Sequence, residues 1–305
     1  MNILITGVTG FLGKQLLNFL LNNSNYSIGI ILRDYNKLNY LNINDKFSHR
    51  LTVIMVNNIK WKQQVKLFNP NIVIHLAAYL SSSDDETVIS NLISSNIEFG
   101  CNVLDALKDT KVQYFINTGT FAEYGSDAYK LEPAYLYAAT KSAFRSFLNY
   151  YQSVVGFKII NVIPYTIYGG VDSQKKLIDF IYQSTLDSVP INMSPGEQVL
   201  DFIHINDVIN FYKVLIENIN NIHQTYTELA LGTSVGTTPK QLAEIIEAVT
   251  QKKTNINWGG VPYRVKDTMY SVANLSTTIN VLNWKPNITI QKGIELYINQ
   301  KNKEK

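Results

Sequence analysis

The stretch that decides the fold lies close to the N-terminus and reads Ile3-Leu-Ile-Thr6-Gly7-Val-Thr-Gly10-Phe-Leu-Gly13. Its apolar start predicts a buried β-strand, and the glycines that follow predict a tight turn that opens an α-helix. Glycine lets the backbone approach a pyrophosphate, whose charge is met by the amides at the helix N-terminus. The sequence therefore predicts a dinucleotide site, with contacts from Gly7, Thr9, Gly10, Phe11, Leu12 and Gly13.

Short β-rich runs alternate with longer amphipathic stretches through the first half of the chain, which is typical of βαβ units. The predicted strands are Asn2–Thr6, Ser27–Leu32, Leu51–Val56, Ile72–Leu76, Tyr114–Thr118 and Lys158–Ile163, and the predicted helices are Gly13–Asn22, Val88–Leu107 and Ala138–Val155. The pattern indicates an α/β fold with a Rossmann doubly wound parallel sheet. We expect a dinucleotide-binding domain over residues 1–168 and a smaller C-terminal substrate-binding lobe over residues 169–305, interleaved with returning Rossmann elements.

Composition excludes several classes of function. The 305 residues carry a formal net charge of +3, with 27 basic against 24 acidic side chains, which does not favour a nucleic-acid partner. Cys101 is the only cysteine, so no internal disulfide is expected and we predict no metal site. No apolar run is long enough to cross a bilayer, and no targeting signal is evident, so we expect a cytoplasmic protein without membrane insertion.

The choice of cofactor depends on the end of the second predicted strand. Arg33 stands about where an acidic residue would bind the adenosine ribose of NAD, and an arginine there can instead pair with the 2′-phosphate of NADP. NADP(H) is therefore favoured, while Asp34 leaves NAD(H) open as the alternative. Small residues after the fourth strand would let the cofactor lie against the backbone, so contacts are also predicted from Leu76, Ala77 and Ala78.

A candidate catalytic pair begins the helix of residues 138–155. Tyr137 and Lys141 are four residues apart, about one helical turn, so both side chains can point to the same side of the cofactor. A nearby ammonium favours the phenolate, and we expect it to lower the pKa of Tyr137 from about 10. Thr120 follows the fifth strand, where its hydroxyl could bond a substrate carbonyl. These three residues form the predicted catalytic set.

Several motifs together resemble the extended short-chain dehydrogenases/reductases, the NAD-dependent epimerase/dehydratase family. These motifs are Thr6-Gly-x-x-Gly-x-x-Gly13, His75-Leu-Ala-Ala78, Thr120 before Tyr124-Gly125, Tyr137-x-x-x-Lys141, Gly196 to Asp207, and Arg264-x-x-Asp267 before Trp284-Lys-Pro286. Within that family, the segments around Tyr226, Arg264 to Asn274 and Asn283 to Asn287 are similar to CDP-abequose and CDP-paratose synthases.

The resemblance implies a nucleotide-sugar oxidoreductase of deoxysugar and lipopolysaccharide O-antigen biosynthesis. Members of that group reduce the 4-keto group of CDP-4-keto-3,6-dideoxyglucose with NADPH, so the implied partner is a nucleotide-linked sugar. The implied roles give Tyr137 the proton, Thr120 the carbonyl and Lys141 the cofactor ribose. We expect substrate contacts from Thr120, Phe121, Tyr165 and Arg264, and a homodimer formed through the helices of residues 88–107 and 138–150.

Departures from the family pattern limit what is implied. Members that are 4,6-dehydratases carry Asp-Glu directly after the threonine, where this chain has Phe121 and Ala122, so dehydration is not expected. Leu200 replaces the signature arginine that typically meets the diphosphate, which leaves Arg264 as the candidate phosphate contact. Two alternatives stay open: an NAD-dependent nucleotide-sugar 4-epimerase, and a dinucleotide-binding sensor that does no chemistry.

Overall fold

A computed structural model describes residues 1–41, 43–83, 85–125, 130–170 and 175–303. The chain forms two compact units. The first comprises residues 1–123, 131–163 and 222–229, and the second comprises residues 124–130, 164–221 and 230–305. Within the described ranges, no helix is both long and apolar enough to cross a membrane.

The secondary structure alternates strands and helices, as the sequence predicts. The strands are β1 Asn2–Thr6, β2 Ser27–Leu32, β3 Leu51–Met55, β4 Ile72–His75, β5 Tyr114–Thr118, β6 Lys158–Pro164, β7 Thr166–Tyr168, β8 Ile191–Met193, β9 Val199–His204, β10 Tyr226–Leu231, β11 Gly236–Thr237, β12 Ile256–Trp258 and β13 Tyr270–Ser271. The α-helices are α1 Phe11–Asn23, α2 Asn36–Tyr40, α3 Trp61–Phe68, α4 Glu86–Ile93, α5 Phe99–Ala106, α6 Leu136–Val155, α7 Leu177–Ser184, α8 Ile205–Glu217, α9 Pro239–Thr250, α10 Ser276–Leu282 and α11 Ile290–Lys303.

The large sheet has seven strands in the order β10-β6-β5-β4-β1-β2-β3. The pairs from β3 across to β6 are parallel, and the order reverses after β1, so the α/β Rossmann prediction is confirmed. In this register Thr6 lies opposite His75, and His75 lies opposite Asn117. The carboxyl ends of β1, β4 and β5 therefore meet at one edge, where ligands bind in doubly wound sheets.

The core of the first unit is built from strand and helix faces. Leu4 on β1, Val73 on β4 and Phe115 on β5 are fully buried and pack with Phe144 of α6 and Val103 of α5. The strands are apolar because both faces of a parallel sheet are covered, and removing apolar side chains from water stabilises the fold. This packing holds α6, the helix of Tyr137 and Lys141, within the first unit.

The segment predicted as one helix over residues 88–107 is interrupted. Its first part is α4, its last part is α5, and between them Ser94–Glu98 forms a π-helical stretch. At this stretch Asn96 turns inward, where its amide contacts the backbone N–H and C=O of Tyr79 at 2.7 and 3.1 Å and donates to the Thr140 hydroxyl at 3.0 Å. The buried amide finds its partners through the wider turn, which a 3.6-residue periodicity does not predict.

The second unit contains the short strands and the last helices. Strand β9 pairs with β7, β11 and β13, and β8 pairs with β12. Its core packs Tyr168 and Phe202 against Ile246 of α9 and Ile294 of α11. The domain boundary at residue 168 that was drawn from the sequence remains a prediction.

Candidate active site

Two positions of the glycine turn between β1 and α1 have no room for a side chain. Gly7 has φ +75°, and a Cβ there would lie 2.5 Å from the backbone nitrogen of Ala77. A Cβ on Gly13 would lie 2.1 Å from the Gly7 carbonyl oxygen. Helix α1 begins after Gly10, with no side-chain cap and no acidic side chain in its first turn. This helix end suits an anionic group such as a diphosphate.

A cavity of about 180 Å³ opens beside this turn in the first unit. Of the residues predicted to bind cofactor, it is lined by Gly7, Thr9, Gly10, Arg33, Leu76, Ala77 and Ala78. The predicted contacts Phe11, Leu12 and Gly13 lie in the first turn of α1 and are not among its lining residues. Lys37 and Phe99 also line the cavity and were not predicted, because neither belongs to a motif.

Three charged side chains stand together at the rim of this cavity. Arg33, Asp34 and Lys37 all line it and all are exposed. Arg33 donates a hydrogen bond from Nη1 to the Ser95 hydroxyl at 3.3 Å, which directs the guanidinium toward the π-helical stretch. Two cations against one carboxylate give this rim a positive balance, which fits a further phosphate.

The predicted catalytic side chains are buried in the first unit. Thr120, Tyr137 and Lys141 are 7%, 9% and 3% exposed, respectively. Thr120 follows β5, and its hydroxyl accepts a hydrogen bond from the Ala122 backbone N–H at 3.3 Å. Phe121 lies in the short 3₁₀ turn Phe121–Glu123 that continues from it. Tyr137 and Lys141 lie in the first two turns of α6.

The ionisation of Tyr137 differs from the prediction. Burial raises the pKa of the Tyr137 phenol above its usual range, and the negative charge of Glu123 adds to the increase. The expectation of a lowered pKa is wrong, because loss of hydration on burial disfavours the charged phenolate. Tyr137 therefore keeps its proton at neutral pH, as a proton donor requires.

Lys141 is affected by burial in the opposite direction. Burial lowers the pKa of its ammonium to about 8, and Glu123 acts against this by favouring the charged form. The neighbouring His75 has a pKa lowered to about 3, first by burial and then by the Lys141 charge. His75 packs between the rings of Phe99, Phe115 and Phe144, and its Nδ1 lies 2.9 Å from the Thr6 hydroxyl.

The buried His75 predicts a pH dependence of stability. Below pH 6.5 the unfolded chain binds a proton at this histidine, whereas the folded protein binds it only near pH 3. Stability from this group is thus present above pH 6.5 and is lost as pH falls toward 3, by about 1.4 kcal/mol per pH unit. The free energies of unfolding of wild type and His75→Asn, measured with urea over this range, should differ less as the pH falls, because only the wild type loses stability from this histidine. A constant difference would contradict the burial of a neutral imidazole.

The second unit holds the other residues predicted to contact substrate. The Tyr165 backbone N–H donates to the Leu231 carbonyl at 3.0 Å, and Arg264 is exposed in a turn closed by the Asp267 N–H to the Arg264 carbonyl at 3.2 Å. Asp201, next to Leu200, is fully buried and accepts hydrogen bonds from the N–H groups of Thr233, Ser234 and Ala273. Asp201 therefore fastens two loops of this unit to β9.

No group of three or more His, Cys, Asp or Glu side chains within the described ranges is arranged to hold a metal ion. The first unit therefore offers a buried phenol, ammonium and hydroxyl and, at the ends of β1, β2 and β4, a cavity that suits a dinucleotide. Tyr137 and Lys141, which were also predicted to contact the cofactor, are not among the residues that line this cavity.

Comparison with known proteins agrees with the strand order and the glycine turn. The profile of the family described as NAD dependent epimerase/dehydratase matches residues 3–227. The chain belongs to this family. CDP-abequose synthase of Salmonella typhimurium is 26% identical to this family member over 96% of both chains. UDP-glucuronate 4-epimerase of Thermodesulfobacterium geofontis is also 26% identical, over 97% of this chain and 94% of its own.

Solved structures of other enzymes share the fold. The UDP-glucuronic acid 4-epimerase of Bacillus cereus, in complex with UDP-glucuronic acid and NAD, superposes with a TM-score of 0.87 at 21% identity and covers 100% of both chains. The UDP-glucose 4-epimerase of Thermus thermophilus, in complex with NAD, gives a TM-score of 0.81 at 20% identity, with 99% of each chain covered. At this identity the likeness establishes the fold.

Proposed function

We propose that the protein reduces the 4-keto group of a nucleotide-linked 4-keto-6-deoxy sugar with NADPH, in deoxysugar biosynthesis. The observation that carries the proposal is the likeness to CDP-abequose synthases along nearly the whole chain, at 26% and 28% identity for the two Salmonella proteins. This likeness favours a CDP-4-keto-3,6-dideoxy sugar as the substrate class.

The buried side chains of the first unit support this chemistry. A bound nicotinamide would supply the hydride. Tyr137, which keeps its proton because burial raises its pKa, would donate that proton to the C4 oxygen. The Thr120 hydroxyl would hold the same oxygen, and the Lys141 ammonium would bind the cofactor ribose. Buried groups whose pKa values are shifted in this way are typical of active sites.

Other residues would restrict the reaction and hold the substrate. Ala122 is fully buried and Phe121 precedes it, so neither position supplies the acid and base that elimination of water needs. Arg264 is exposed and carries a charge suited to a diphosphate. We propose Thr120, Phe121, Tyr165 and Arg264 as the substrate contacts.

The proposal is tested with a panel of CDP-, GDP-, UDP- and dTDP-linked 4-keto-6-deoxy sugars. We expect NADPH absorbance to fall in proportion to the sugar reduced, with the CDP-linked compound turned over fastest. Absence of NADPH consumption with every member of the panel would exclude a 4-ketoreductase.

A 4-epimerase is the second candidate, because UDP-glucuronate 4-epimerase is similar over 97% of this chain. It would use the same Thr120, Tyr137 and Lys141 but would regenerate its cofactor in place. Tightly bound NAD in the purified protein, with interconversion of sugars and no net NADPH use, would favour it. Binding of dinucleotide with neither activity would favour the sensor.

We further propose that Arg33 and Lys37 bind the 2′-phosphate of NADP(H), with NAD(H) as the weaker alternative. Both cations line the cavity beside the glycine turn. Arg33→Asp should shift the ratio of kcat/KM for NADPH over NADH by about 10–100-fold toward NADH, because it replaces a charge-assisted hydrogen bond with a repulsion. Initial rates with both cofactors measure this ratio.

Asp34→Asn is the matched control for this cofactor prediction. Asp34 lines the same cavity and is the carboxylate available to the ribose hydroxyls of NAD. Its removal should move the ratio the other way, toward NADPH. If both variants retain the wild-type ratio, these residues do not determine cofactor choice.

A homodimer remains a proposal. Apolar side chains are exposed on the two helices predicted to form it, at Ile89 and Ile93 of α4 and at Phe147, Tyr150 and Val154 of α6, with exposures from 37% to 60%. Exposed apolar side chains grouped on neighbouring helices favour association with a second copy.

A further inference from the structure

A fully buried carboxylate joins the two segments that carry the predicted catalytic residues. Glu123 ends the 3₁₀ turn after Thr120 and has no exposed surface. Its Oε1 accepts a hydrogen bond from the Thr120 backbone N–H at 2.8 Å. Its Oε2 accepts from Arg145 Nε at 2.7 Å and from the Ser142 hydroxyl at 3.3 Å, both on α6.

Arg145, which lies on the same helix as Tyr137 and Lys141, binds this carboxylate. The three side chains follow one another at four-residue spacing, so they lie along one face of α6. The other end of the guanidinium donates from Nη1 to Glu228 Oε2 at 2.7 Å, and Glu228 also accepts from Asn161 Nδ2 at 2.9 Å. Arg145 is therefore fixed between two carboxylates, on the 3₁₀ turn and on β10.

The carboxylate also stands where its charge acts on Lys141. Glu123 favours the ammonium form of Lys141 against the effect of burial. His75 on β4 faces the same ammonium and is neutral at physiological pH, since its pKa is about 3. On α6 itself, Tyr137 is protonated and Arg145 is engaged by Glu123. Among the described residues, Glu123 is thus the carboxylate whose charge favours the Lys141 ammonium.

The position of the Glu123 carboxylate also explains why residue 119 is a glycine. A Cβ on Gly119 would lie 2.6 Å from Glu123 Oε1 and 2.7 Å from the side chain of Ile163. A side chain at position 119 would therefore collide with the Glu123 carboxylate, which lies over Gly119. The hydrogen bond from the Thr120 N–H to this carboxylate holds the Thr120 backbone in place without any ligand.

We propose that Glu123, held by Arg145, is a positioning residue of the active site, which fixes the Thr120 backbone and places a negative charge against the face of α6 that carries Lys141. The inference rests on the proposed function, because both roles act on residues assigned to catalysis. It adds to that function a residue pair that lies outside the catalytic motifs.

The test makes the same substitution, glutamate to glutamine, at each of the two carboxylates that Arg145 contacts. Glu123→Gln keeps an oxygen for the Thr120 N–H but removes the charge, and Glu228→Gln removes the charge from the other arm. The pH midpoint of Lys141 is followed by NMR of ¹³Cε-labelled lysine, assigned with Lys141→Met. In Glu123→Gln the midpoint should fall by about one pH unit or more, whereas in Glu228→Gln it should stay near wild type.

Turnover provides the second readout. Glu123→Gln should lower kcat about fivefold at pH 8, because a midpoint one unit lower leaves about a tenth of Lys141 as the ammonium instead of about half. The KM for NADPH should rise as well, because the same ammonium is proposed to bind the cofactor ribose. An unchanged Lys141 midpoint together with an unchanged kcat would overturn the proposal. If wild type reduces no member of the sugar panel, the proposed function fails, and the NMR midpoints still decide whether Glu123 controls Lys141.

A double variant separates positioning from simple stabilisation. Glu123→Gln is combined with Arg145→Met, which removes the cation left without its buried partner, a change that is often neutral for stability. A structural role alone predicts that the double variant regains both its unfolding midpoint and its kcat. Positioning predicts that stability returns while kcat and the Lys141 midpoint stay low.

Discussion

Tyr137→Phe is expected to lower kcat by about 10²–10⁴-fold while the Kd for NADPH changes little, because general acid catalysis is commonly worth that factor and only the hydroxyl is lost. The ring is 9% exposed and remains buried as Phe, so the fold should be retained. The rate is followed through NADPH absorbance with the best sugar of the panel. The Kd is measured from cofactor fluorescence in the absence of sugar.

Tyr151→Phe is the matched control, because it removes a hydroxyl from the same helix at a position that packs against the core of the first unit. This variant should keep wild-type turnover. A Tyr137→Phe enzyme with near-normal kcat would show that another group donates the proton, and the assignment of Tyr137 would have to be given up.

Lys141→Met is expected to reduce both cofactor affinity and turnover, by about 10²–10³-fold in kcat/KM, because two charge-assisted contacts are lost together. Wild-type activity should also fall as pH rises through about 8, where the Lys141 ammonium loses its proton. The variant should lack this alkaline decline. Rates from pH 6 to pH 10 check both expectations, in roughly one-unit steps.

The stability of the Lys141→Met variant serves as its control. Burial of Lys141 disfavours its charge, so an apolar side chain of similar length should not decrease the free energy of unfolding. A variant that is both inactive and strongly destabilised would indicate that Lys141 supports the fold. Unchanged affinity for NADPH would remove it from the cofactor site.

Local patterns were sufficient for most of the first unit. The predicted strands Asn2–Thr6, Ser27–Leu32 and Tyr114–Thr118 have the bounds found in the structure, since a buried parallel strand is a short apolar run with clear ends. The predicted helix over residues 88–107 was wrong in one respect. Its π-helical interruption depends on the partners of Asn96, which come from Tyr79 and Thr140 elsewhere in the chain.

The sequence by itself determined the family, the glycine turn and the spacing of Tyr137 and Lys141, because each depends on residues close together in the chain. Tertiary structure decided the ionisation of these groups, since burial raises the pKa of Tyr137 and lowers that of Lys141. It also brought Glu123 and Arg145 into contact, 22 positions apart. Hydration and long-range charge depend on what surrounds a side chain, and only the folded chain establishes those surroundings.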